Sequence, residues 1–137
     1  MMLVACSGDV EIAGDSASSG LSASCSDGEP VDEFVAGLSR DSSSGLFDVV
    51  LLDANPAPPD VGNNVFHLQV DGAERVTVRP WMPLHGHGTV PDTFEATQET
   101  DGTWTTPDVD LFMPGLWELE FVFAEEESAL FRFCLEG

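Results

Sequence analysis

The sequence contains no lysine, and only four arginines stand against 25 aspartates and glutamates. Affinity for a phosphate backbone rests on clustered Lys and Arg, so a formal net charge of -21 excludes nucleic acid as a partner. The same lack excludes a polybasic grip on an anionic membrane surface. Long apolar runs are missing too, and no window reaches the roughly 18 apolar residues that a transmembrane helix requires. Catalytic signatures are likewise scarce. No G-x-S-x-G occurs, the histidine-bearing segment has no nearby nucleophile, and neither a Gly-rich phosphate loop nor a dinucleotide fingerprint is present. The many acids can be paired at any spacing and read first as solvated faces. The chain is therefore expected not to be an enzyme. A blue-copper electron carrier needs a cysteine followed closely by His and Met ligands, which Cys134 lacks. A D-x-D-x-D-G calcium loop is absent as well.

What is present is enough for a folded domain. Of the 137 residues, 42% are hydrophobic, including nine Phe and three Trp, which separates the chain from a disordered acidic tail. One domain of this size buries roughly two-thirds of the surface its unfolded chain exposes. From Cys6 to about Gly45 the text is rich in Ser, Gly, Ala and Asp, as in SGDVEIAGDSASSG and RDSSSG. Residues 7–45 therefore read as a flexible tether. Within them EPVDEFVAGLSR carries Phe34, Val35 and Leu38 at helical spacing, which predicts one short helical turn.

From Leu46 to Gly137 short apolar runs alternate with Gly, Pro, Asn and Asp at intervals of about ten residues, the pattern of an all-β sandwich. Strands are expected at 47–53, 65–70, 75–82, 94–99, 103–113, 116–123 and 129–135. Asp71-Gly72, Asp101-Gly102 and Pro114-Gly115 mark turns between them. The clearest strand has Trp117, Leu119, Phe121 and Phe123 alternating with Glu118, Glu120 and Val122. The fold class is all-β, a sandwich of about seven strands behind an N-terminal tether. Eight of the 25 acids precede Leu46 and seventeen follow it, so the acidity belongs mainly to the outward faces of the sandwich.

Leu3-Val4-Ala5-Cys6 resembles the lipobox of bacterial lipoproteins, in which cleavage leaves the cysteine as a lipidated first residue. A secretory signal needs about 15–30 residues, so residues 1–6 would be the remnant of one, either begun upstream or truncated. With Cys6 lipidated, Cys25 and Cys134 form an even pair in an exported chain and are expected to bridge. In the chain-entropy model a loop of that length adds about 4–5 kcal/mol. The rival role for Cys134, a metal thiolate, has no His or Met beside it in FRFCL.

All three histidines lie between residues 67 and 87, and two stand in WMPLHGHGT. In extended backbone His85 and His87 point the same way with Cα atoms about 6.6 Å apart, so both rings can converge on one ion. Met82 precedes them, and a second Met-Pro pair at Met113-Pro114 lies before the Trp117 strand. Thioether sulfur selects Cu(I) and imidazole suits both copper oxidation states, so the expected metal ligands are His85, His87, Met82 and Met113. The competing reading makes both methionines plastic core residues and the Gly and Pro residues turn chemistry. His67, alone on a strand face, reads as a packing or solvent-facing residue.

MPLHGHGT, the following DGTW and the strand MPGLWELEF together resemble the YtkA-like domain of bacterial exported proteins, as does LLDANPAPPDVGNNVFHLQVDG earlier. The resemblance covers about Leu46 to Phe123. It implies an immunoglobulin-like sandwich, export to the periplasm or cell envelope, and a link to copper through Met82, His85, His87 and Met113. Two functions follow as expectations. One is a lipid-anchored, extracytoplasmic copper-binding module for metal handling or delivery, with a protein partner in that task. The other is a metal-free immunoglobulin-like interaction domain. The acidic surface would also draw copper cations towards uncharged ligands.

Overall fold

Alternating apolar and polar residues put one side of each strand into a shared core, and two antiparallel sheets result. The computed structural model describes Cys25 and residues 27–124 and 127–136. Cys6 and residues 7–24 of the expected tether lie outside the described residues. The strands are β1 Leu38–Asp41, β2 Asp48–Asn55, β3 Gly62–Val70, β4 Thr77–Met82, β5 His87–Gly88 and β6 Phe94–Glu95. They continue as β7 Thr97–Gln98, β8 Trp104–Thr105, β9 Val109–Leu111, β10 Gly115–Ala124 and β11 Glu127–Leu135. The first sheet runs β1-β2-β3-β8-β7 with β9 also on β3; the second runs β11-β10-β4-β5 with β6 also on β4. This is the immunoglobulin-like β-sandwich. No helix among the described residues is long and apolar enough to cross a membrane.

The core lies between the sheets. Leu51, Phe66 and Leu68 from the first sheet meet Trp117, Leu119, Phe121 and Phe131 from the second, and all are fully buried. Phe66 stands edge-on to Phe121 at 6.2 Å, and Phe121 edge-on to Phe131 at 5.8 Å. Such pairs add about 0.5–1.5 kcal/mol each beyond the area they bury.

Three expected elements differ. The strand expected at 94–99 divides at Ala96, which is buried and donates its N–H to Val76 O at 2.9 Å. Phe94–Glu95 joins the second sheet and Thr97–Gln98 the first, so the chain crosses the sandwich there. The strand expected at 103–113 divides into β8 and β9, with Pro107, which has no N–H to give a ladder, between them. The helical turn expected over 29–40 does not form: 38–41 is a strand paired with β2.

That last difference moves the start of the domain well ahead of Leu46. Residues 27–45 are a strap laid along the free edge of β11, not a tether. Asp32 N donates to Arg132 O at 2.7 Å, and Arg132 N donates back to the Asp32 carboxylate at 2.9 Å. Further along, Ser43 N donates to Ser128 O at 2.8 Å. Between these anchors the Arg40 guanidinium pairs with Asp32 and lies 5.3 Å from the centre of the Phe131 ring. An uncovered edge strand is a template for aggregation, and the strap removes most of this one. At its start Cys25 is bonded to Cys134, with Cα atoms 5.7 Å apart.

Two carboxyls hold the strap. Glu127 accepts from the hydroxyls of Ser44 and Ser42, and these bonds lower its pKa below 4.5. Asp27 lies below 3.8, first because it accepts the Glu29 N–H and then because Arg132 binds it. Both folded values are depressed, so the unfolded chain takes up these protons first on acidification. The stability they supply is complete above the unfolded values and is lost as pH falls through the folded ones. Amide exchange of Ser128 and Arg132 is therefore expected to quicken below about pH 4, before that of Leu119 or Phe121. Equal quickening of all four amides would contradict this.

Candidate metal site

The β4–β5 hairpin builds the site at one end of the sandwich. Proline at 83 and glycine at 86 close a turn in which His85 N and Gly86 N both donate to Met82 O, at 3.1 and 2.8 Å. Gly86 takes φ +73°, a left-handed conformation that a residue with a Cβ adopts at a cost. His85 therefore lies in a turn and not in the extended backbone expected. The two imidazoles still converge, with ring centres 5.7 Å apart and planes at 49°. Two imidazoles bound to one ion at nitrogen distances of about 2.0–2.1 Å place their centres about 5–6 Å apart.

Strand pairing sets the rest. Met82 is directly opposite His87, so their side chains share a face of the sheet. Met82 is fully buried in the core, while His87 is half-buried at its rim. The Nδ1 of His87 lies 3.2 Å from Gly88 O. A carbonyl only accepts, so that bond places the proton on Nδ1 and leaves the Nε2 lone pair for a ligand. On its other side the His87 ring stacks on Phe112 at 5.8 Å and 19°. Phe112 in turn meets Trp117 edge-on at 5.7 Å. Met113, next to Phe112, is partly buried against the core, and its carbonyl accepts the Trp117 indole N–H at 3.0 Å.

Thus His85 and His87 come together, Met82 faces His87 from the core side, and Met113 adjoins through the Phe112 loop. Phe112 was not singled out in the sequence. The signal was its parity: Val109 and Leu111 are inward, which leaves a large aromatic at 112 facing out, 47% exposed. His67 stands apart on the other sheet. Its Nε2 bonds the Thr103 hydroxyl at 2.7 Å, and that hydroxyl donates to Asp101 at 2.6 Å. The Asp101 carboxyl is lowered below 3.8 by the Thr103 hydroxyl and N–H. Since Thr103 gives its proton to Asp101, the trio is a structural chain on the β7–β8 turn.

Among the described residues no three His, Cys, Asp or Glu side chains come together in a way that could hold a metal ion. Two imidazoles fit a borderline ion better than an oxygen-seeking one. No family model matches this chain, and neither a curated protein nor a solved structure is significantly similar to it.

Proposed function

We propose that this chain is an extracytoplasmic copper-binding domain that holds the ion at His85 and His87, with sulfur from Met82 or Met113, for handling or delivery and not for catalysis. The observation that carries this reading is the convergence of the two imidazoles at 5.7 Å, with Nδ1 of His87 engaged by a carbonyl. A structural zinc site takes four protein ligands and calcium or magnesium takes oxygen. Two imidazoles beside thioethers match neither pattern, and they suit copper in both oxidation states. The Cys25–Cys134 bond favours export, because disulfides persist in oxidising compartments. The reading includes the bacterial periplasm or cell envelope as location and a lipid on Cys6 as anchor. It also includes membership of the YtkA-like family, for which MPLHGHGT and MPGLWELEF speak. Each of the four arginines is paired with a carboxylate, so the remaining acids leave a negative field that draws cations in.

Titration of the purified chain with Cu(II), and with Cu(I) against a competing chelator, is expected to show one site of micromolar or tighter affinity. His85→Ala together with His87→Ala is expected to weaken it more than about 100-fold, since even outer-shell partners of a ligand cost 10–100-fold. Copper binding that survives the double substitution would remove this site. No copper binding at all would leave a metal-free interaction domain.

A further inference from the structure

We infer that the outer face of the second sheet carries a receptor groove for a cationic side chain of a basic partner protein, with Trp81 as its aromatic wall and Asp92 as its free charge. The groove has a volume of about 340 Å³ and lies between the β4–β5 hairpin and β11, with Trp81, Gly88, Asp92 and Leu130 among its lining. It stands apart from the copper reading: Trp81 and Gly88 share the hairpin with His85 and His87 but look out from the sheet, whereas Met82 and His87 look in.

Strand parity puts Trp81 there. Pro80 and Met82 face the core, so the indole between them faces out and remains 43% exposed. Directly opposite is Gly88. A Cβ at that position would fall 2.6 Å from Pro80 O and 3.3 Å from the Trp81 ring. The indole therefore lies over bare backbone, and no side chain at 88 can fill the floor. Leu130 adds the second apolar surface, 39% exposed.

The charges select the occupant. Three carboxylates and a single guanidinium line the groove. Arg79 is taken by Glu120 at 3.0 Å, and Glu118 is taken by Arg132 at 2.8 Å. Asp92 is in no salt bridge among the described residues. An aromatic face beside an unpaired carboxylate attracts a cation through ring quadrupole and charge together, and repels an anion. The net charge of -21 steers basic partners to the surface in the same sense. A second copy is a poor donor, because the chain has no lysine and pairs each of its four arginines internally.

The test uses a capped tri-arginine peptide and follows the three indole N–H resonances of the whole chain by NMR. The Trp81 signal is expected to shift on titration, while those of the buried Trp104 and Trp117 stay fixed. Trp81→Leu and Asp92→Asn are each expected to weaken binding about two- to fivefold. Glu99→Gln, which removes the same charge beside the β7–β8 turn of the other sheet, is expected to leave it unchanged, and a tri-citrulline peptide is expected not to bind. Asp92 is exposed and in no salt bridge among the described residues, so its variant is expected to fold whatever becomes of Trp81→Leu. An unmoved Trp81 resonance, or equal losses in Asp92→Asn and Glu99→Gln, would overturn the proposal.

Discussion

Replacing Cys25 and Cys134 together by alanine is expected to destabilise the fold by about 4–5 kcal/mol, on the chain-entropy account of a crosslink. The two residues are 109 apart in sequence, so the bond closes one very long loop and restricts the unfolded ensemble severely. For a domain of this size the melting temperature should fall by roughly 10–20 °C. Urea unfolding of the variant beside the parent, with and without reductant, measures the effect. Reductant should lower the parent to the level of the variant and leave the variant where it is. The native strap is held by other contacts as well, through Asp27, Asp32 and Ser43. A loss under about 1 kcal/mol would mean that the crosslink does not restrict the unfolded chain in the way this model requires.

Trp117→Ala is expected to cost about 3–5 kcal/mol, the range for deleting a large buried aromatic. Trp117 is fully buried and faces the core from β10, so removal leaves a cavity that the two sheets cannot close by moving together. The consequence reaches further than stability. Its indole N–H holds Met113 O, and its ring braces Phe112, on which His87 stacks. Trp117→Phe separates the two effects. It keeps most of the apolar volume but frees the Met113 carbonyl, at an expected cost of about 1–3 kcal/mol. In that variant the His87 imidazole resonances should shift while those of His67, on the other sheet, do not. Copper affinity should fall in the same variant if the Phe112 loop positions His87. Unmoved His87 resonances would detach Trp117 from the site and leave it a core residue alone.

Much of the sandwich could be read from local pattern. The strand at 116–123 and its partner at 129–135 extend by only a residue or two, to Gly115–Ala124 and Glu127–Leu135. Strict alternation with one buried face leaves a single register, since a slip of one residue would turn Trp117 and Phe121 to water. The strap could not be read this way. LSRD at 38–41 is polar and mostly exposed, with no period-two signal. It is a strand because the edges of β2 and β11 need partners, which is a property of distant residues. Ala96 is a similar case: a run of β-forming residues reads as one strand, and only the stacking of two sheets makes the chain change partners there.

The candidate site divides along the same line. His85 and His87 stood out because two imidazoles two residues apart are rarely separable in space. Their approach came through a turn closed by Gly86 and not through extended backbone. The stacking of Phe112 on His87 and the facing of Met82 and His87 depended on pairings that no local spacing encodes.

By itself the sequence determined composition-level facts and those set by nearest neighbours. The acid excess argues against a nucleic-acid partner, alternation makes strands, and Asp-Gly pairs turn the chain, because each of these is read from composition or near neighbours. Tertiary structure alone decided which acids stay unpaired, that Gly88 lies opposite Trp81, and that residues 27–45 seal an edge. Those outcomes depend on residues far apart in the chain meeting across a sheet, and chain-neighbour physics does not contain them.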